Sequence, residues 1–184
     1  MTVPAAPHPA APVAVLIGAP GSGCEAVGAA LAARLAVGLR SVDRDLEARS
    51  GQPLAETFVD LGENRFRELE RGCALTALAE HPGVLVLEGG AVLDGEVATA
   101  LVGAPVAFVE VGIAHAARLL GFNDQRPAAL GTPRSTWMHL MNGRRPRYTA
   151  LARIVVTADD RDPADVAAEV AAGLGLDPGE RRRA

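Results

Sequence analysis

The segment Gly18-Ala19-Pro20-Gly21-Ser22-Gly23 has the spacing of a phosphate-binding turn. Glycines let backbone N–H groups converge on an anion, and the helix that follows offers its positive end. In a complete Walker A sequence the next residues are a lysine, which neutralises phosphate charge, and a serine or threonine, which ligates magnesium. Cys24 and Glu25 stand there instead. The loop therefore loses a cation and a metal ligand and gains an anion. Losing one preorganised charge stabiliser costs about 3 to 4 kcal/mol of transition-state stabilisation. A carboxylate in the first turn of a helix is favourable by roughly 0.3 to 1 kcal/mol, so Glu25 is expected to stand, electrostatically, in place of a phosphate. Four further groups could do chemistry: the carboxylates Asp43 and Asp45, the pair Arg67 and Glu70, the turn Gly89-Gly90, and Arg144.

The elements that must position these groups are legible as alternating apolar runs. Val13 to Ile17 reads as a buried strand, and Val27, Leu31 and Leu35 recur at helical spacing after the glycine turn. A short strand near Arg40 to Val42 ends at Asp43-Arg44-Asp45, with helices expected over Leu46 to Arg49, Pro53 to Leu61 and Glu63 to Glu80. Val84 to Leu87, Val106 to Val111 and Ile154 to Thr157 complete the strands. Strands alternating with helices predict an α/β three-layer P-loop fold, with a central parallel sheet and helices on both faces. Ligands of such sheets bind beyond the carboxyl ends of the strands. The Gly/Pro-containing stretch Phe122 to Pro133 breaks the helical pattern and reads as a lid segment.

Taken in order, Gly18-x4-Gly23, Asp43-x-Asp45, Gly62-Glu63-x2-Phe66-Arg67-x2-Glu70, Gly89-Gly90-Ala91-Val92, Arg126-Pro127, and Arg144 with Pro146 and Tyr148 resemble the shikimate kinase family. Each motif alone is weak; six in register over about residues 13 to 172 are specific. The resemblance implies a nucleoside-monophosphate-kinase-like fold and transfer of the γ-phosphoryl of ATP to the 3-hydroxyl of shikimate with Mg2+. It implies Asp45 as the catalytic carboxylate beside the attacking oxygen and a binder of shikimate's hydroxyls. It implies Arg67 and Arg144 as the grip on the substrate carboxylate, and Gly89 and Gly90 as the backbone approach to the ring. Phe66 would line the pocket and Glu70 would orient Arg67. Gly18, Gly21, Ser22, Gly23, Arg126 and Arg161 would face the nucleotide, and Asp43 would stand in the outer sphere of the metal. The sequence departs from the family pattern at Cys24 and Glu25, at Leu119, where an adenine-stacking arginine is common, and at Glu88, where the first glycine of a Gly-Gly-Gly turn is common.

Composition narrows the function classes. The 184 residues carry a formal charge of −4, which offers no general basic field to a nucleic acid, and all 18 basic residues are arginine. Any step that needs a lysine ammonium is therefore absent or borrowed. Cys24 and Cys73 form neither a metal pair nor a disulfide framework, which fits a reducing cytoplasm. Cys24 at a helix N-terminus could be a reactive thiol, a role that the neighbouring Glu25 opposes. No apolar run reaches membrane-spanning length. The domain is expected over residues 13–175, between a disordered leader, 1–12, and a basic tail, 176–184. Three readings follow. The first is a pseudokinase that keeps the shikimate pocket, lacks efficient transfer and answers to ligand or to a protein partner such as an active kinase. The second is a working kinase of shikimate or a related cyclitol carboxylate, using ATP and Mg2+. The third is an interaction module with a vestigial pocket, against which the joint presence of Asp45, Arg67 and Arg144 argues.

Overall fold

The computed structural model describes residues 11–122 and 133–176. Five strands form one sheet: β1 (Ala14–Gly18), β2 (Leu39–Ser41), β3 (Val84–Glu88), β4 (Val106–Glu110) and β5 (Ile154–Thr157). Their order is β2-β3-β1-β4-β5 and every pairing is parallel. The three central strands are continuous apolar runs, as expected where both faces of a sheet are covered. The helices are α1 (Cys24–Leu35), α2 (Val42–Ser50), α3 (Leu54–Glu80), α4 (Gly95–Ala100), α5 (Ile113–Leu119), α6 (Pro133–Leu151) and α7 (Pro163–Gly173). They cover the sheet on both faces, giving the expected three layers.

Local sequence explains most of these elements. Helix α1 buries Val27 and Leu31, four residues apart on one face, and packs beside α7, which buries Val166, Ala167, Val170 and Ala171. The start of α7 is set by Asp162, whose side chain accepts a hydrogen bond from the Ala164 N–H at 2.8 Å, and by Pro163 in the first turn. Helix α3 is broken at Gly62, whose φ of 71° and ψ of 165° are non-helical, so the two helices expected over 53–61 and 63–80 are present end to end. Phe108 on β4 and Tyr148 on α6, both fully buried, meet with ring centroids 5.2 Å apart and tie α6 to the sheet.

One boundary changes the site. Helix α2 starts at Val42, not at Leu46, so Asp43 and Asp45 lie inside the helix and not on a loop after β2. The expected lid, including Arg126, falls largely on 123–132, outside the described residues, as do 1–10 of the leader and 177–184 of the tail. Among the described residues, no helix is long and apolar enough to cross a membrane.

Two glycines make opposite predictions. Gly72 sits within α3 with nothing within 4 Å of the point where an alanine methyl would stand, so Gly72→Ala should stabilise the protein by about 0.5 to 1 kcal/mol. At Gly83 a Cβ would stand 2.1 Å from the Gly38 carbonyl oxygen, which accepts the Val84 N–H at 2.8 Å. Backbone there cannot yield cheaply, and Gly83→Ala should cost roughly 1 to 3 kcal/mol. Urea denaturation of both variants reads the two signs directly.

Candidate active site

The carboxyl ends of β1 and β3 open into a cleft of about 360 Å³ lined by residues that include Asp43, Phe66, Arg67, Glu70, Glu88, Gly89, Gly90 and Arg144. An adjoining space of about 250 Å³ shares Arg67, Glu70, Gly90 and Arg144. Glu70 is nearly fully buried and accepts a hydrogen bond from Arg67 Nη1 at 2.7 Å, which fixes the guanidinium. Burial pushes the Glu70 carboxyl up in pKa, and the Arg67 hydrogen bond opposes that push. The Arg67 guanidinium lies against Gly90, where a Cβ would displace it from this position. Gly89 adopts a φ of 69° and its carbonyl accepts the Tyr148 hydroxyl at 2.5 Å, so α6 holds the turn that lines the cleft. Arg67, Gly89, Gly90 and Arg144, expected together from the family resemblance, are thus brought to one place.

The two aspartates part company. Residues two apart on an α-helix are separated by roughly 200° around its axis, so one carboxylate cannot share the other's face. Asp43 faces the cleft. Asp45 lines a separate hollow with Arg40, Arg49 and Cys73, and accepts a hydrogen bond from Arg40 Nε at 2.7 Å. The expectation that Asp45 stands in the pocket and Asp43 at its metal edge is therefore corrected: Asp43 occupies the pocket wall. Burial, then the charges of Glu70, Glu25 and Glu47, raise the Asp43 pKa to about 6.

The phosphate loop keeps its backbone and changes its contents. Gly21 and Gly23 adopt φ of 78° and 74°, the left-handed values from which such a turn is built. Ser22 and Cys24 are fully buried. The Cys24 thiol is pushed well above its ordinary pKa by burial and by the Glu88 charge, so it is a packed neutral group and not an activated nucleophile. Glu25 does not take the place of a phosphate: its half-exposed side chain pairs outward with Arg44. Glu88 comes closer, its carboxylate accepting a hydrogen bond from Ser22 Oγ at 3.2 Å. The backbone half of the loop fits a phosphate group; the side chains do not supply the cation that a magnesium triphosphate needs.

The comparisons with known proteins bear on family and fold. A family model described as shikimate kinase matches residues 20–174. A shikimate kinase of Salinispora tropica is 49% identical over 164 residues, covering 89% of this chain and 98% of its own. This chain belongs to the shikimate kinase family. A second shikimate kinase, from Streptomyces coelicolor, is 43% identical over 85% of this chain and 91% of its own. In the shikimate kinase fold, the solved structure of the Acinetobacter baumannii enzyme in complex with shikimate matches with a TM-score of 0.79 at 21% identity, covering 89% of this chain and 92% of that one. The Bacteroides thetaiotaomicron enzyme gives 0.77 at 23%, over 90% and 99%. On the side of this shikimate kinase family member where a nucleotide would lie, Leu120 closes over Gly21 and Leu119 approaches Gly23. Arg161 is held by Glu169 at 2.6 Å and by the Thr157 carbonyl at 2.9 Å. In the sequence Glu88 stands out only as a departure from the family pattern; its contact with Ser22 leaves no local signal, because the two residues are 66 positions apart.

Glu88 also carries a stability signature. Burial first, then the Asp43 charge, lifts its pKa from 4.5 to about 7. Between those values the folded chain holds a proton that the unfolded chain has released, so this group's contribution to stability falls as pH rises through that window. Glu88→Gln removes the charge and should gain on the wild type as pH rises, by up to on the order of 3 kcal/mol above pH 7. Thermal melts at about pH 5 and about pH 8 test this; a difference in melting temperature that ignores pH contradicts it.

Proposed function

We propose that this protein binds shikimate in the cleft and that its activity is the ATP-dependent phosphorylation for which its relatives are named, run slowly on a phosphate loop without its lysine. The observation that carries the reading is the convergence of Asp43, Arg67, Gly90 and Arg144 on one cleft. Two guanidiniums suit a planar carboxylate. The Gly89-Gly90 turn exposes backbone to a ring hydroxyl without side-chain obstruction. Asp43, with a pKa of about 6, is ionised at neutral pH and can accept the proton of an attacking hydroxyl. ATP with Mg2+ supplies the phosphoryl group when bound; the chain's own part is to hold shikimate, orient its hydroxyl and receive a proton on the Asp43 carboxylate. The slowness follows from Cys24 and Glu25, which leave the loop to grip without the lysine cation and the metal-ligating hydroxyl.

A second reading, binding of shikimate without transfer, is favoured by the acidic loop environment formed by Glu25, Asp43 and Glu88 around the buried Cys24. In that case the protein acts through its ligand-bound state or a protein partner.

Calorimetric titration with shikimate and separately with Mg-ATP, followed by a coupled kinase assay on the same preparation, separates the two. Binding with measurable turnover supports the kinase; shikimate binding with no turnover transfers the conclusion to the second reading; failure to bind shikimate removes both. Arg67→Ala or Arg144→Ala should weaken shikimate binding by about tenfold or more, the worth of a charge-assisted hydrogen bond. Asp43→Asn should lower turnover by about 100-fold or more, whereas Asp45→Asn should leave it within about twofold. The double change Cys24→Lys with Glu25→Ser should raise turnover by about 100-fold or more.

A further inference from the structure

Glu88 has no part in the proposed transfer, yet it reaches into the phosphate loop through Ser22. It is the last residue of β3, in register with Gly18, the last residue of β1. The Gly89 N–H donates to the Gly18 carbonyl at 3.1 Å and locks that pairing, so the Glu88 side chain is delivered to the loop by the sheet itself. There its carboxylate accepts the Ser22 hydroxyl at 3.2 Å. The Cys24 backbone, at the start of α1, also acts on the carboxylate and favours its charged form. The Cys24 N–H further donates to Ser22 Oγ at 3.4 Å, so hydroxyl, amide and carboxylate form one closed set. A serine hydroxyl and a helix-opening amide are the groups that such a loop turns toward a phosphate oxygen.

We propose that the Glu88 carboxylate is a built-in anion of the phosphate loop, held by donors that a phosphate group would otherwise take, and that it sets this loop against anionic ligands. A phosphate or sulfate enters only when Glu88 is protonated or swings away. The inference deepens the kinase reading, on which it rests for the loop's role, and gives a second cause, besides the missing lysine, for weak nucleotide binding.

The charged and titratable groups around Glu88 come from four elements. Cys24 and Glu25 open α1, Asp43 lies on α2, Arg67 and Glu70 on α3, and Arg144 on α6. The Asp43 and Glu25 charges oppose ionisation of Glu88. Arg67 is engaged by Glu70 at 2.7 Å. Arg144 acts electrostatically on Glu70 and on Tyr148. Protonation of Glu88 removes its own repulsion of an incoming anion, so anion affinity should rise as pH falls through about 7.

The protein carries its own reporter. Trp137, the single tryptophan, donates its Nε1 hydrogen bond to the Pro20 carbonyl inside the loop at 3.0 Å. Sulfate is the probe, because its charge is constant between about pH 6 and about pH 8 and it requires neither shikimate nor turnover. Titrations followed by Trp137 fluorescence should show Glu88→Gln binding sulfate about tenfold or more tightly than wild type near pH 8. Wild-type affinity should rise from pH 8 to pH 6, and Glu88→Gln should lose most of that slope. Glu88→Gly, which removes the side chain altogether, should reproduce the gain and serves if the glutamine variant fails to fold. Equal affinities in wild type and variants, equal pH slopes, or no sulfate binding by any of them overturn the proposal. A failed kinase assay beside a sulfate gain at Glu88→Gln removes the kinase reading and leaves this one standing.

Discussion

The register between β1 and β3 is the constraint from which the site follows. Parallel pairing sets Gly18 opposite Glu88, and the chain leaves both strands at the same edge of the sheet. From β1 it turns through the phosphate loop into α1; from β3 it turns through Gly89 and Gly90 into the floor of the cleft. A shift of one residue would exchange the faces of every side chain on β3. The apolar run Val84 to Leu87, buried on both sides, and the hydrogen bond from Gly89 to Gly18 hold the register against that shift.

Charge divides the site into two unlike halves. On the cleft side, Arg67 and Arg144 surround a buried Glu70 whose negative charge is matched by the guanidinium it orients. Where the cleft meets the loop, Asp43 and Glu88 are both buried enough that desolvation is the largest cause of their raised pKa values. Two nearby carboxylates that resist ionisation form an environment more favourable to a neutral or cationic group than to a polyphosphate. The arginine half is compatible with the ligand for which the family is named, whereas the loop half carries the departures from its pattern.

Fold and loop chemistry can diverge because they draw on different energies. The sheet is stabilised by buried apolar residues such as Leu16, Ile17, Leu85, Leu87 and Phe108, none of which touches phosphate chemistry. Exchange of a loop lysine for a buried cysteine costs that core nothing, and the Cys24 side chain packs at the end of β1 where Gly18 leaves it room. Identity near half with a shikimate kinase over nine-tenths of the chain therefore coexists with an altered loop.

The sequence by itself determined the strands, most of the helices and the break at Gly62, because each leaves a local mark: an apolar run, a helical repeat or a glycine; Arg67, Gly89, Gly90 and Arg144 are marked by the family resemblance. It did not determine which aspartate faces the cleft. That depended on where α2 begins, and Val42 to Asp45 has too few apolar residues to mark a helix start. Nor did it reveal what fills the phosphate loop. Glu25 is adjacent to the loop and turns outward to Arg44, while Glu88 is 66 residues from Ser22 and turns in. Contacts at that separation are set by strand pairing and by the burial that pairing imposes, and only the tertiary structure brings those two residues together.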